Sequence, residues 1–252
     1  MRAIVLVPTY NELQALPTTM DQLLQAAPDV SVLVIDDASP DGTGELADAM
    51  ADADARISVL HRTQKEGLGR AYLHGMRLAL ERGADAVVEF DADGSHPADA
   101  VPRMLAQLEA GADLVIGSRW VPGGGIADWP RHRQAISRLG NVYARLMLGS
   151  SVQDMTAGCR AYTAELLRRI DLDGVRSQGY GFQIDMTRRA LEAGATVVEV
   201  PILFRERELG SSKMTGAIIA EALTSVTGWG IGRTCAAAVD RVASVRRRLT
   251  RR

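Results

Sequence analysis

Two aspartates lie two residues apart, Asp91 and Asp93, and an apolar run of Ala86, Val87 and Val88 leads into them. In an extended segment residues two apart point to the same side, so both carboxylates can face one ligand. Carboxylates held that close repel each other, and a hard divalent cation with oxygen ligands relieves the repulsion. Mg²⁺ is commonly held by one or two carboxylates together with substrate phosphates. The first expectation is therefore a metal-bridged nucleotide at this turn. A plainer reading makes the turn a helix start. Ser95 or His96 would cap it, Pro97 would occupy the first turn, and Asp99 would suit the positive helix end. That reading leaves Asp91 unexplained, because it still belongs to the apolar run.

Holding such a turn requires a frame. Short apolar runs rich in branched residues predict buried strands over 3–7, 30–35, 57–60, 86–90 and 114–117. Between them, helical spacing predicts helices over 13–27, 45–53 (capped by Asp41 or Thr43), 67–82 and 98–110. Strict alternation of strand and helix argues a parallel, doubly wound α/β sheet. Tyr10 and Glu12, Asp36 and Asp37, and Asp91 and Asp93 then all fall at the C-terminal ends of strands. That edge is where open parallel sheets bind ligands. No Gly-x-Gly-x-x-Gly follows the first strand, which argues against a Rossmann dehydrogenase. Gly67 and Gly69 read as tight helix packing.

The second half reads differently. Residues 121–128 hold Pro122 and three successive glycines, Gly123, Gly124 and Gly125, and predict a flexible loop able to cover a site. A helix is expected over 134–148 with Ile136, Leu139, Val142 and Leu146 on one face. Further helices are expected over 163–170 and 180–193, and a strand over 196–201. Arg205, Arg207 and Lys213, among a glycine and serines, could clasp a phosphate or form a solvated loop with local ion pairs. Ile219, Ala222, Leu223, Val226 and Trp229 predict an amphipathic helix too interrupted to span a bilayer. Residues 233–252 carry seven arginines against one acid, Asp240, which fits a membrane-surface segment or a solubilising tail.

Composition sets the outer limits. The 252 residues suit one large α/β domain, and 46% apolar with 24% charged is ordinary for a globular protein. A net charge of −2 excludes a generally basic surface of the nucleic-acid-binding type. Cys159 and Cys235 lie far apart without metal-ligand spacing, pointing to a reducing compartment. No secretory pattern and no run of about 18 apolar residues is present, so a cytoplasmic protein is expected.

Five stretches together resemble family-2 glycosyltransferases of the GT-A fold. They are Val7-Pro-Thr-Tyr-Asn-Glu12, Ile35-Asp-Asp-Ala-Ser-Pro-Asp-Gly-Thr43, Lys65-Glu-Gly-Leu-Gly-Arg-Ala-Tyr72, Asp91-Ala-Asp-Gly-Ser-His-Pro97 and Gly117-Ser-Arg119. More narrowly, they are similar to dolichyl-phosphate or polyprenyl-phosphate mannose synthases. The resemblance continues through Trp129-Pro130, Gly158 to Tyr162, Gly179 to Gln183 and Arg207 to Lys213, so it spans roughly residues 3 to 215. It implies that Pro8, Tyr10, Glu12, Ile35 and Asp37 hold the guanine and ribose of GDP-mannose. Asp91, Ala92 and Asp93 would approach the diphosphate, with Asp91, Asp93 and Ser95 around Mg²⁺ or Mn²⁺. Arg119 would contact the donor, Arg207 and Lys213 would close over its phosphates, and Arg133 would meet the lipid phosphate. Asp93, Arg119, Arg207 and Lys213 are thus the expected catalytic set. Three positions depart from the family pattern: Gly94 for an aliphatic, Cys159 for an aromatic and Asp185 for glutamate.

The implied layout is a glycosyltransferase domain over 1–215, with a donor half to about 119 and an acceptor half after it. A basic, amphipathic membrane-surface segment over 216–252 would follow. The implied enzyme is cytoplasmic and peripheral to an anionic membrane surface. Lipid length, oligomeric state and a separate membrane-anchoring protein stay open. A polyprenyl phosphate is already anionic at neutral pH, so its attack on the sugar needs no general base. A hydroxyl acceptor would need one, and Asp185 is then the candidate. Two rivals remain at this point. One is a transferase using UDP-glucose, another donor or a hydroxyl acceptor; the other is a catalytically silent nucleotide-sugar-binding scaffold.

Overall fold

Branched apolar residues buried on both faces build the centre of the sheet. In a computed structural model, which describes residues 1–177, 179–206 and 220–234, β1 (Ala3–Thr9) pairs in parallel with β2 (Ser31–Asp36). β2 pairs in parallel with β3 (Ile57–His61), and β4 (Ala86–Glu89) lies parallel to β1 on its other side. Alternation along each strand divides the core. Leu6, Leu33, Ile35 and Val87 pack on one face, and Val5, Val7, Val32, Val34 and Val88 on the other. The connecting helices are α1 (Leu16–Ala26), α2 (Thr43–Ala53), α3 (Leu68–Glu81) and α4 (Ala100–Glu109), each within a few residues of expectation. α4 is preceded by Asp99, which makes no side-chain cap, so Ser95 and His96 do not cap it; both are buried and serve the cleft described below. Asp41 does hold the start of α2, accepting from the Thr43 backbone at 3.1 Å.

The sheet is not purely parallel. β5 (Leu114–Ser118) follows α4, but a strand that the apolar pattern does not predict, β7 (Arg160–Thr163), runs antiparallel between β4 and β5. It is only four residues long and opens with a charged residue, so it carries no apolar run. β8 (Val197–Pro201) closes the far edge parallel to β5, giving the order β3-β2-β1-β4-β7-β5-β8. The chain leaves β1 toward β2 and β3 and returns beside β1 as β4. A switch point therefore lies between β1 and β4 at their C-terminal ends.

The 121–128 loop is not a free cover. Gly125–Ile126 forms β6, a parallel pair with β9 (Leu203–Phe204), and Gly125 and Ala127 donate to the carbonyls of Ile202 and Phe204. Gly124 is obligatory there, since a Cβ would lie 2.5 Å from the Ser118 carbonyl oxygen. α5 (Arg131–Leu148) starts directly after Pro130, earlier than expected. α6 (Ala164–Arg169) is capped by the Thr163 hydroxyl, and α7 (Gly179–Glu192) packs on α3. Residues 220–234 are helical and lie against α5, where the Tyr143 and Thr227 hydroxyls are 2.5 Å apart. Among the described residues no helix is long and apolar enough to cross a membrane.

The seating of α3 on the sheet depends on one missing side chain. A Cβ on Gly75 would fall 2.4 Å from Ile35 Cδ1 and 3.1 Å from Leu6. Gly75→Val should therefore cost about 1–3 kcal/mol by overpacking. Thermal unfolding followed by calorimetry should show Tm lower by several degrees; an unchanged Tm would mean that α3 is not held this close.

Candidate active site

A cleft of about 490 Å³ opens at the switch point, lined by the ends of β1, β2 and β4 and by the first turns of α3 and α7. The three polar clusters expected on this edge converge there: Pro8, Tyr10 and Glu12 from β1 and its loop, Asp37 after β2, and Asp91, Ala92 and Asp93 after β4. Ile35, expected among the donor contacts, is not brought to it. That side chain is fully buried in the core against Gly75, on the sheet face under α3. Asp36 is also turned away, accepting from the Thr9 and Ser39 hydroxyls at 3.1 and 2.5 Å. Its neighbour Asp37 faces the cleft. Burial pushes the Asp37 carboxyl up, against the pull of the paired Arg62 guanidinium, which also meets Glu66 at 2.5 Å. Lys65 joins this wall, its ammonium 3.6 Å from the centre of the Tyr10 ring.

Asp91 is gripped on both oxygens. The Tyr72 hydroxyl donates to Oδ1 at 2.9 Å, and His96 Nε2 meets Oδ2 at 3.0 Å. Burial, reinforced by the Asp91 charge, holds the Tyr72 phenol well above its ordinary pKa, so it stays a donor. Gly158 lies against this pair, where a Cβ would sit 3.3 Å from Asp91 Oδ2. Asp93 accepts from the Ser95 backbone at 3.0 Å across a turn whose central residue, Gly94, has φ 72°. A glycine in place of an aliphatic is what that conformation favours. The Ser95 hydroxyl is buried on the cleft wall with no hydrogen-bond partner. Two carboxylates and an unpartnered hydroxyl oxygen fit a hard divalent cation. Among the described residues no group of three His, Cys, Asp or Glu side chains gathers. Such an ion would therefore rely on non-protein oxygens, as Mg²⁺ commonly does.

The opposite wall is cationic, and each charge is anchored. Arg119 is held through Nε and Nη2 by both oxygens of Asp154 at 2.7 Å and reaches Thr156 Oγ1 at 2.8 Å. Burial alone would raise the Asp154 carboxyl, but the Arg119 guanidinium holds it below the usual range. The backbones of Gln153 and Asp154 are in turn fixed by Glu199 at 2.7 and 2.9 Å. Arg133, in the first turn of α5, lies 3.9 Å from the centre of the Trp129 ring and is paired with Glu206. Both Arg133 and Glu206 line the cleft. Arg207 and Lys213 lie outside the described residues.

Several of these residues escaped the reading of motifs. Asp154 and Glu206 act through contacts 35 and 73 positions apart in sequence, which no local spacing announces; Gln183 ends one of the stretches that resemble the family but was given no role there, and its contact spans 94 positions. Gln183 donates from Nε2 to Glu89 Oε2 at 2.8 Å; burial pushes the Glu89 carboxyl up to about 7, against Arg160 and this hydrogen bond. Asp185, the candidate base for a hydroxyl acceptor, is absent from the cleft. It is buried and accepts from Ser177, Arg188 and Arg189 at 2.6 to 3.2 Å. Cys159 is buried beside Met104 and takes no part.

The comparisons with known proteins agree with this geometry. The family model "Glycosyl transferase family 2" matches residues 4–171. An undecaprenyl-phosphate mannosyltransferase of Micrococcus luteus is 55% identical over 231 residues, covering 92% of this chain and 95% of its own. A polyprenol monophosphomannose synthase of Mycolicibacterium smegmatis is 53% identical over 231 residues, covering 91% and 87%. Among solved structures, glucosyl-3-phosphoglycerate synthase from Mycobacterium tuberculosis, in complex with Mn²⁺, UDP-glucose and phosphoglyceric acid, superposes with a TM-score of 0.67 at 21% identity. That match covers 91% of this chain and 79% of that one. With sequence relatives above half identity over most of its length, the chain belongs to glycosyl transferase family 2 and is a glycosyltransferase of the GT-A fold.

Proposed function

We propose that this enzyme transfers mannose from GDP-mannose to a polyprenyl phosphate, with inversion, giving polyprenyl-phosphate mannose at the cytoplasmic membrane face. The observation that carries the acceptor class is the pairing of Arg133 on the cleft with Asp185 off it. A cation able to meet an acceptor phosphate lines the cleft, while the carboxylate that could serve a hydroxyl acceptor is tied up by two arginines. The names of the two sequence relatives support the same lipid and sugar.

In the reaction, an acceptor phosphate oxygen forms a bond to the anomeric carbon as the bond from that carbon to the diphosphate breaks, and GDP leaves. The acceptor oxygen brings its own charge, so no proton need be removed. Asp37 and Glu12 face the donor's nucleoside end, Asp91 and Asp93 face its diphosphate, and Arg119 supplies fixed positive charge opposite them. A divalent ion, Mg²⁺ or Mn²⁺, held by Asp93, Asp91 and Ser95, would neutralise the leaving diphosphate. The structurally similar synthase solved with Mn²⁺ and a nucleotide sugar supports a metal of this kind.

Peripheral attachment to a membrane is part of the proposal, and α5 supports it. The expected apolar face of this helix is real but points outward: Ile136, Leu139 and Leu146 are 60, 68 and 73% exposed. Leu139 and Leu146 sit one turn either side of Tyr143, and the exposed Leu223 and Ile231 one turn either side of its partner Thr227. Both helices therefore carry exposed apolar residues near this contact. α5 carries four arginines and no acid, which suits an anionic lipid surface. The basic stretch expected to bind membranes lies mostly in 235–252, outside the described residues.

Three measurements test this. Transfer of labelled mannose from GDP-mannose to the lipid phase should fall at least about a hundredfold in Asp93→Ala, since a catalytic metal contact is worth several kcal/mol; turnover within a few-fold of wild type would remove the metal role. Arg133→Ala should raise the KM for lipid phosphate about ten- to a hundredfold, while Asp185→Asn should cost far less than the roughly 10²–10⁴-fold of a lost general base. A collapsed kcat in the second variant with a normal first would favour a hydroxyl acceptor. Finally, Leu139→Ser with Leu146→Ser should weaken cosedimentation with phosphatidylglycerol vesicles about tenfold or more and leave GDP affinity alone. Unchanged cosedimentation would shift attachment away from α5.

A further inference from the structure

The deep wall of the cleft contains an acceptor whose direction is dictated from behind. Gln183, on the first turns of α7, is 3% exposed and lines the cleft. Glu89 and Arg160 face each other in register across β4 and β7, both with no exposed surface, and both hold this residue. Arg160 Nη1 donates to the Gln183 backbone carbonyl at 2.8 Å, and the side-chain amide nitrogen donates to Glu89 Oε2 at 2.8 Å. With the amide nitrogen engaged on Glu89 Oε2, the carbonyl turns away from it. Gln183 Oε1 is left buried with no hydrogen-bond partner. A buried acceptor without a donor is unfavourable until a water or a ligand completes it. The Trp129 indole nitrogen, a donor only, is likewise buried and unpartnered on the same cleft.

An unpartnered acceptor and an unpartnered donor on residues that line one cleft suit a ligand with several hydroxyls, each able to give and take a hydrogen bond. We propose that Gln183 is a hexose-specificity residue: its amide carbonyl accepts a hydrogen bond from one hydroxyl of the donor sugar, and Glu89 with Arg160 positions the amide to do so. This rests on the reading of the enzyme as a hexosyltransferase. It goes further by assigning sugar selection to an α7 side chain held from the antiparallel strand, separate from the carboxylates and cations that face the diphosphate.

The experiment is a substrate-by-variant cycle. kcat/KM is measured for wild type and Gln183→Leu with GDP-mannose and with the four GDP-mannose analogues lacking the 2-, 3-, 4- or 6-hydroxyl. Wild type should lose at least about tenfold on one analogue, because a site built to bond a hydroxyl rejects the analogue lacking it. Gln183→Leu should lose a similar factor on GDP-mannose and no longer distinguish that analogue from it. GDP affinity by calorimetry should match wild type, showing an intact nucleotide end. If Gln183→Leu fails to fold, Gln183→Asn serves instead. It withdraws the amide carbonyl by one methylene and should narrow discrimination at the same hydroxyl. A variant that keeps the full wild-type discrimination on all four analogues overturns the assignment, as does a wild type indifferent to all four. Wild-type transfer of a different hexose would overturn the donor reading alone, since the same cycle on that donor still decides Gln183. Transfer of no hexose would overturn both.

Discussion

A guanidinium with no exposed surface has to find its hydrogen bonds inside the protein, and Arg160 finds four. It donates to the carbonyls of Met155, Ala157 and Gln183 and to the Thr187 hydroxyl, all between 2.7 and 2.8 Å. These contacts fix the 155–158 turn, which supplies Thr156 and Gly158 to the cleft, and tie it to α7. Glu89, also without exposed surface, is the residue opposite on β4. Removing the guanidinium would leave buried acceptors without their donor, at a cost of about 1–3 kcal/mol for each left unsatisfied. The antiparallel strand β7 is thus the joint between the β1–β4 half of the sheet and the half that carries α5 and α7.

Four charges on the cleft are braced from behind. Asp91 is held by Tyr72 and His96, Arg119 by Asp154, Arg133 by Glu206, and Asp37 by Arg62. Groups oriented before substrate arrives need not reorganise when charge moves from the sugar bond to the leaving diphosphate. The braces also keep opposite charges from collapsing on one another across the cleft. Asp185 shows the contrast: three side chains hold it as well, but away from the cavity, where its role is to fasten α7.

The α5 side of the cleft has a different construction. Arg133 belongs to both the cleft and α5, so the helix leads from the place of chemistry to an exposed apolar strip. An enzyme whose second substrate is a lipid phosphate has to bring a charged head into a polar cleft while its chain stays in an apolar phase. A helix with arginines near its start and uncovered leucines along its length meets both demands without a membrane span.

Much of this was legible in the chain itself. Short branched runs alternating with helical periods give the six parallel strands and their helices, because burial on both faces demands continuous apolar sequence. The polar residues that end those runs mark the ligand edge, and the order of motifs marks the family. Other features were decided only by tertiary contacts. β7 was hidden because its leading residue is an arginine, made acceptable in the core by carbonyls and a hydroxyl that lie near it only after folding. Ile35, Asp36 and Asp37 are neighbours in sequence, yet one is core, one braces a turn and one faces the cleft; register alone assigns them. Helical spacing announced an apolar face on α5, but not that it would point outward. Periodicity describes a helix relative to itself, and only the packed structure says what stands opposite.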